Sequence, residues 1–315
     1  MSKASVTALR SIELEVTDLK RSVAFYCEMW GLTSLIEENG AAYLRGTGTE
    51  HHVVRLREAP RAKLVAVHFA TSSRNAVSVL HDSACSLGIR IVRPPAELSK
   101  VAGGGYGFTF ATPDGQELSV SADVGRHADS ISDHTRPINL THVVINSADV
   151  DKQVAFFQDA LGFRLSDSTH SMEFIRCGRD HHSMALARGT GPSLNHMAFE
   201  MKDFDGLMYG SGRMKQNGFD VEWGVGRHGP GNNIFSYFIE PDGFVAEYTT
   251  GMDHIDEANY VPQDAQYWKD FKPRPCRWGM AMNPSPRIRD AMAGRLFPTA
   301  PVAERCEDVI AKTIY

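Results

Sequence analysis

Cysteine is scarce and scattered in this chain. Cys27, Cys85, Cys177, Cys276 and Cys306 are odd in number and no two form a CxxC pair. That spacing argues against a disulfide framework or a cysteine-bound zinc as the organising device. Long apolar runs are missing too. None approaches the ~18 residues needed to span a membrane, and the opening MSKASVTALRSIELEV lacks the continuous apolar segment of a secretory signal. The expectation is a cytoplasmic protein with no membrane partner. There is no basic excess, since 33 Lys+Arg against 38 Asp+Glu give a formal charge of -5. The electrostatic footprint of a nucleic-acid binder is therefore absent. No low-complexity segment is present. What remains is 315 residues at 42% hydrophobic and 23% charged, enough core for two soluble domains.

An internal repeat organises the chain. LRSIELEVTDLKRSVAFYCEMWGL, residues 9–32, parallels LTHVVINSADVDKQVAFFQDALGF, residues 140–163, at an offset of 140 − 9 = 131. GTEHHVVRLR and GRDHHSMALAR repeat the parallel near offset 130, and the two Pro-Asp-Gly turns, Pro113-Asp114-Gly115 and Pro241-Asp242-Gly243, lie 128 apart. Each copy is itself doubled, since LTHVVI and LNHMAF both open with Leu-x-His. Within the unit, LTHVVI reads as a β-branched strand. Val150, Val154, Phe157 and Leu161 then fall at helical spacing, with Ser147 or Asp149 as N-cap and Gly162 as terminator. Further short strands follow. NIFSYFIEPDGFVAEYTT reads as a hairpin turning at Pro241-Asp242-Gly243. The predicted fold class is α+β, built from four βαβββ modules paired into two domains. Residues 1–125 form the first domain, 126–138 a polar linker, 139–254 the second domain and 255–315 a proline-rich tail. The tail is expected to pack across the second domain and over a site mouth, with a short helix in the terminal VAERCEDVIAKTIY.

The two copies differ where chemistry would sit. His142, His196 and Glu247 in the second copy align with Ser11, Ala66 and Ser119 in the first. A shared scaffold would demand the same core residues in both copies, whereas a single site needs its ligands only once. A lone histidine of this kind reads more naturally as a satisfied core residue; three matched differences read as a site. Two imidazoles and one carboxylate suit a divalent first-row metal and leave up to three positions open. That is the pattern of non-heme iron(II) oxygenases.

The segments LTHVVI, DHHSMALARGTGPSLNHMAFEM, WGVGRHGPG and FSYFIEPDGFVAEYTT resemble the type I extradiol ring-cleaving dioxygenases, of the catechol 2,3-dioxygenase kind. These belong to the vicinal oxygen chelate superfamily, with its glyoxalase/bleomycin-resistance-like fold. The resemblance spans about residues 7–252 and is carried by GRHG-x-x-N-x-x-F-x-Y-F-x-x-P-D-G-x-x-x-E. It implies Fe(II), or Mn(II), on His142, His196 and Glu247, and a first domain without metal. It also implies catalytic roles for His182, His228 and Tyr237. His181, beside His182, is the competing choice, and the match of HSMAL to the family's strand favours His182. Part of that His-His signal is structural, because the first copy carries His51-His52 at the same place. The glycines around His228 fit a loop that closes tightly on something. Ten residues separate Tyr237 from Glu247, but the intervening turn leaves parity uninformative.

The implied reaction is meta cleavage of a catechol by O2 to a 2-hydroxymuconic-semialdehyde-type product. His182 would take a hydroxyl proton and later return it to assist O–O cleavage, while His228 and Tyr237 would hydrogen-bond to the reacting oxygens. Trp223 stands where carboxylate-selective relatives place an arginine. This favours an uncharged ring, catechol or a methylcatechol, walled by Trp223 and Phe235, although Arg274 or Arg277 of the tail would reach a carboxylate. Biphenyl-diols and trihydroxytoluenes are the alternative substrates, a non-oxidative metalloenzyme such as a glyoxalase the alternative chemistry, and a metal-free binding module the alternative class. The family also implies a homo-oligomer, with a tetramer favoured.

Overall fold

The computed structural model describes residues 4–38 and 40–297. The first domain contains β1 (Val6–Val16), α1 (Leu19–Ala24), β2 (Thr33–Glu38), β3 (Ala41–Arg45), β4 (Val54–Glu58), β5 (Lys63–Thr71), α2 (Arg74–Ser86), β6 (Ile91–Glu97), β7 (Tyr106–Ala111) and β8 (Glu117–Ala122). The second contains β9 (Leu140–Ser147), α3 (Val150–Leu161), β10 (Arg164–Ser168), β11 (Met172–Arg176), β12 (Met184–Arg188), β13 (Ser193–Glu200), α4 (Phe204–Gln216), β14 (Trp223–Arg227), β15 (Ile234–Ile239) and β16 (Val245–Thr250). Each domain is one eight-stranded mixed sheet. The orders, β2-β3-β4-β1-β5-β8-β7-β6 and β10-β11-β12-β9-β13-β16-β15-β14, are the same when read module by module. The α+β architecture of four βαβββ modules follows directly.

Local chemistry accounts for the elements. The Asp149 side chain accepts a hydrogen bond from the Lys152 N–H, and Gly162 at φ 75° closes the helix, so α3 is held at both ends. Its equivalent in the first domain is different. After Ala24 the winding widens into a π-helical stretch over Phe25–Trp30, which turns Phe25, Tyr26 and Trp30 inward.

The domains share one core. Trp30 stacks on Tyr248 of the second sheet at 3.8 Å and meets Phe199 and Phe238 edge-on. In the other direction Phe156 and Phe163 of the second domain pack on Phe110 and Phe69 of the first. The Pro-Asp-Gly turns act as clasps. Asp242 accepts from the backbone N–H and hydroxyl of Thr17, from Arg21 and from the Ser22 hydroxyl. Asp114 accepts from Ser147 at the pseudo-equivalent place.

The described part of the tail, residues 255–297, packs on the second domain. Its α5 (Ala265–Asp270) and α6 (Pro286–Met292) are capped by Asp264 and Ser285. The terminal helix expected in VAERCEDVIAKTIY lies outside the described residues. No helix among the described residues is long and apolar enough to cross a membrane.

Candidate active site

Three strands of the second sheet aim the candidate ligands at one point. His142 projects from β9, His196 from β13 and Glu247 from β16. In the register Ala198 lies opposite both His142 and Glu247, so the latter two flank β13 on its two sides. One ligand atom from each residue lies within 4.8 Å of the others, and all three residues are buried. The His142 and His196 Nε2 atoms stand 3.2 and 3.4 Å from the same Glu247 Oε2.

The first domain verifies the alignment of the copies. Ser11 pairs with His68 and His68 with Ser119, while Ala66 pairs with Glu13. Ser11, Ala66 and Ser119 thus occupy the three ligand positions.

Burial pushes both imidazoles down to about 3, so each is neutral and carries a lone pair. The Asn195 Oδ1 lies 2.8 Å from His196 Nδ1. Nδ1–H therefore donates to Asn195 and the lone pair of Nε2 faces Glu247. Burial pushes the Glu247 carboxyl up. Two lone pairs and an acidic oxygen converging in a desolvated spot are mutually unfavourable without a positive charge between them, and a divalent cation supplies it. The donor set therefore fits the metal the sequence implied.

The remaining candidates surround this centre. Tyr237 lies directly opposite Glu247 in the β15–β16 register, so both face the same side, which parity alone did not decide. Its hydroxyl is 3.0 Å from His228 Nε2, and burial keeps it protonated. His228 follows β14 in a loop, and burial pushes it down to about 4. Asn233 donates to Glu247 Oε1 at 3.3 Å and to Thr249 at 2.7 Å, fixing the carboxylate from behind. His182 precedes β12, which begins only at Met184, instead of lying within the strand. Its ring centroid is 4.4 Å from that of His142. His181 turns away from the site toward Asp167. The glycine-rich loop closes on His182: Gly231 adopts φ +77°, and a Cβ there would come within 3.0 Å of the His182 ring.

His142, His182, His196, His228 and Tyr237 open onto a cavity of about 860 Å³. Its walls include Val144, Phe174, Trp223 and the tail residues Trp268, Phe271 and Arg274. Trp223 lines it as expected. Phe235 does not; it stacks behind His228 at 4.0 Å and stiffens that ring. Arg277 reaches the wall, but its guanidinium donates to the backbone carbonyls of His228 and Gly229 and so clamps the loop.

The pseudo-symmetry inside the domain accounts for three candidate ligands and no fourth. Val143 and Met197 are equivalent, so Glu247, in β16 beside β13, corresponds to Ala185, in β12 beside β9. A methyl group stands where a fourth donor would be.

The sequence did not single out Asn195, Asn233 or Asp167. Asp167 was within reach of the repeat: it stands at the position of Ile36 (167 − 36 = 131).

Residues 8–120 and 139–248 match the profile of the Glyoxalase/Bleomycin resistance protein/Dioxygenase superfamily. The chain belongs to that superfamily. 2,2',3-Trihydroxybiphenyl dioxygenase of Sphingomonas paucimobilis is 27% identical over 286 residues, covering 83% of this chain and 92% of the relative. Metapyrocatechase 2 of Cupriavidus necator is 35% identical over 122 residues, which is 38% of either protein. A Mn(II)-bound glyoxalase of Novosphingobium aromaticivorans superposes with a TM-score of 0.83 at 36% identity, covering 90% of this chain and 94% of that one. Homoprotocatechuate 2,3-dioxygenase of Brevibacterium fuscum shares the fold at a TM-score of 0.76 and 22% identity, over 83% of this chain and 76% of that one.

Proposed function

We propose that the chain is an extradiol dioxygenase that opens a catecholic ring with O2 at Fe(II), with Mn(II) as the alternative metal, giving a 2-hydroxymuconic-semialdehyde-type product. The observation that carries the reading is the buried trio of His142, His196 and Glu247, whose two histidines line a large cavity, with Ala185 in place of a fourth donor. Such a trio leaves one side of a cation free for a chelating diol and for O2. When bound, the metal would supply the positive charge that acidifies the diol hydroxyls and the position at which O2 is activated.

The chain's own residues do the rest. His142, His196 and Glu247 would hold the metal. His182, kept neutral by burial and by its histidine neighbours, accepts a hydroxyl proton and holds it for return in the ring-opening step. The Tyr237 hydroxyl and His228 form a hydrogen-bonded pair that orients the diol oxygens. Trp223, stacked on Tyr237 at 5.0 Å, provides an aromatic wall for the ring, and Trp268 and Phe271 of the tail shield the cavity from water.

Catechol and methylcatechols were the substrates expected from Trp223. The cavity is near the top of the roughly 300–1,000 Å³ range of small-molecule sites and also admits a second ring, so a biphenyl-diol belongs in the same test. A non-oxidative isomerase is the second reading, favoured by the superposable protein named a glyoxalase. Oxygen-electrode measurements on the Fe(II)-reconstituted chain with catechol, 3-methylcatechol and 2,3-dihydroxybiphenyl separate the two. The expected result is one O2 consumed per yellow product formed. Turnover of a thiol-aldehyde adduct without oxygen uptake would instead establish the isomerase.

A further inference from the structure

We propose that Asp167, acting through His181, is a positioning residue that fixes the tautomer of His182 and leaves the His182 Nε2 lone pair free for the cavity. The inference deepens the reading of His182 as the proton acceptor and rests on it. Three buried side chains form a line. Asp167 Oδ2 lies 2.9 Å from His181 Nε2, and His181 Nδ1 lies 3.0 Å from His182 Nδ1. Asp167, His181 and His182 are only 1%, 2% and 3% exposed, so water does not compete for these bonds.

The hydrogen-bond inventory sets the direction of the chain of donors. A carboxylate only accepts, and Asp167 receives the Tyr260 hydroxyl at 3.0 Å and the Gln263 N–H at 2.7 Å on its other oxygen. His181 must therefore place its proton on Nε2. For a His181 bearing that one proton Nδ1 only accepts, and the proton between the two Nδ1 atoms then belongs to His182. His182 is left with Nδ1–H inside and a lone pair on Nε2. The carboxylate is a property of this domain alone. In the first domain His51 and His52 face each other through the same two atoms at 3.0 Å, but Ile36 occupies the position of Asp167 and His51 packs on His127. The His-His pair is thus common to both domains, and the carboxylate that orients it stands in the domain with the candidate site. Tyr260 and Gln263 also give the tail a part in the chemistry, because they hold the carboxylate in place.

Asp167→Asn tests this. Two donors, Tyr260 and Gln263, hold the oxygen of the new amide on their side, so its NH2 faces His181 and reverses every donor down the line. Nitrogen-15 NMR of the histidine-labelled, Zn(II)-loaded full-length chain reads the tautomers directly. The wild type is expected to show His181 as Nε2–H and His182 as Nδ1–H, and Asp167→Asn to show His182 as Nε2–H. Asp167→Glu should restore the wild-type pattern. In the Fe(II)-loaded enzyme Asp167→Asn should lower kcat about 100-fold with KM within about threefold. A wild type with His182 as Nε2–H, or an Asp167→Asn protein that keeps Nδ1–H, overturns the proposal. The wild-type spectrum alone decides the matter if the variant does not fold. Failure of the dioxygenase reading is recorded separately, as absence of oxygen uptake by a wild type whose tautomers are as stated.

Discussion

The two domains share a sheet order, a His-His pair and a Pro-Asp-Gly clasp, yet among the described residues the candidate metal trio lies in the second. The ligand exchanges are half of the difference. The other half is volume. Where the second domain has Val144 and Ala185 paired across β9 and β12, the first has Glu13 and Arg55 paired across β1 and β4. Where the second has Ala198, the first has His68. Arg55 and His68 close on Glu13 at 2.9 and 3.7 Å, and their partnership holds its carboxyl down at about 2 against the opposing effect of burial. The first domain thus places Glu13, Arg55 and His68 where the second has the small apolar residues Val144, Ala185 and Ala198, of which Val144 lines the cavity. A metal centre in this fold requires deletions of bulk as much as additions of ligands.

Several changes break or sharpen the contrast, taken from the largest effect down. Glu247→Gln should reduce bound metal from about one equivalent to under a tenth, as metal analysis after gel filtration would show, and cut turnover by at least about 10³. Circular dichroism should be unchanged, because the first domain folds with Ser119 at that position. His182→Phe should keep the metal and lower kcat by about 10²–10³ in steady-state oxygen uptake; an unchanged kcat would remove His182 from the mechanism. Trp30→Ala empties the aromatic seam between the domains, where Trp30 is fully buried. It should cost about 3–5 kcal/mol of stability by denaturant unfolding, with the metal still bound at low denaturant.

The pH dependence carries a sign. His142 and His196 have folded-state values of about 3, below the ordinary value of 6.5. The unfolded chain therefore binds more protons between those limits. The metal-free protein is at full stability above about pH 6.5 and loses it as pH falls toward 3. Thermal melts of the metal-free chain at pH 7.5 and 5.0 should show the lower midpoint at 5.0. The smallest effect belongs to His52→Phe, the first-domain counterpart of His182→Phe, which should leave kcat within about twofold.

Much of this was legible before any coordinates. His142, His196 and Glu247 stood out because a duplicated chain supplies its own control, and the strand registers bear out each pairing with Ser11, Ala66 and Ser119. The helix over Val150–Leu161 followed from its spacing, while the choice between Ser147 and Asp149 as its cap fell to Asp149 in the structure. Other features were hidden for physical reasons. Asp167 is 14 residues from its partner His181 in sequence and meets it only because β10 and the segment before β12 are brought together by the sheet. Phe235 reads as a wall residue from its place in the motif, but it packs behind His228. The widened winding at Phe25–Trp30 left no mark in a sequence that matches the regular helix α3. The smallness of Val144 and Ala185 carries no meaning until the register shows that Glu13 and Arg55 stand there in the other domain.

The central claim is tested most directly by anomalous diffraction at the iron edge from crystals of the Fe(II)-reconstituted protein. The account predicts one peak per chain, about 2.1 Å from His142 Nε2, His196 Nε2 and a Glu247 oxygen, with none in the first domain. A peak elsewhere, or reconstituted crystals with no peak between these three side chains, would contradict it.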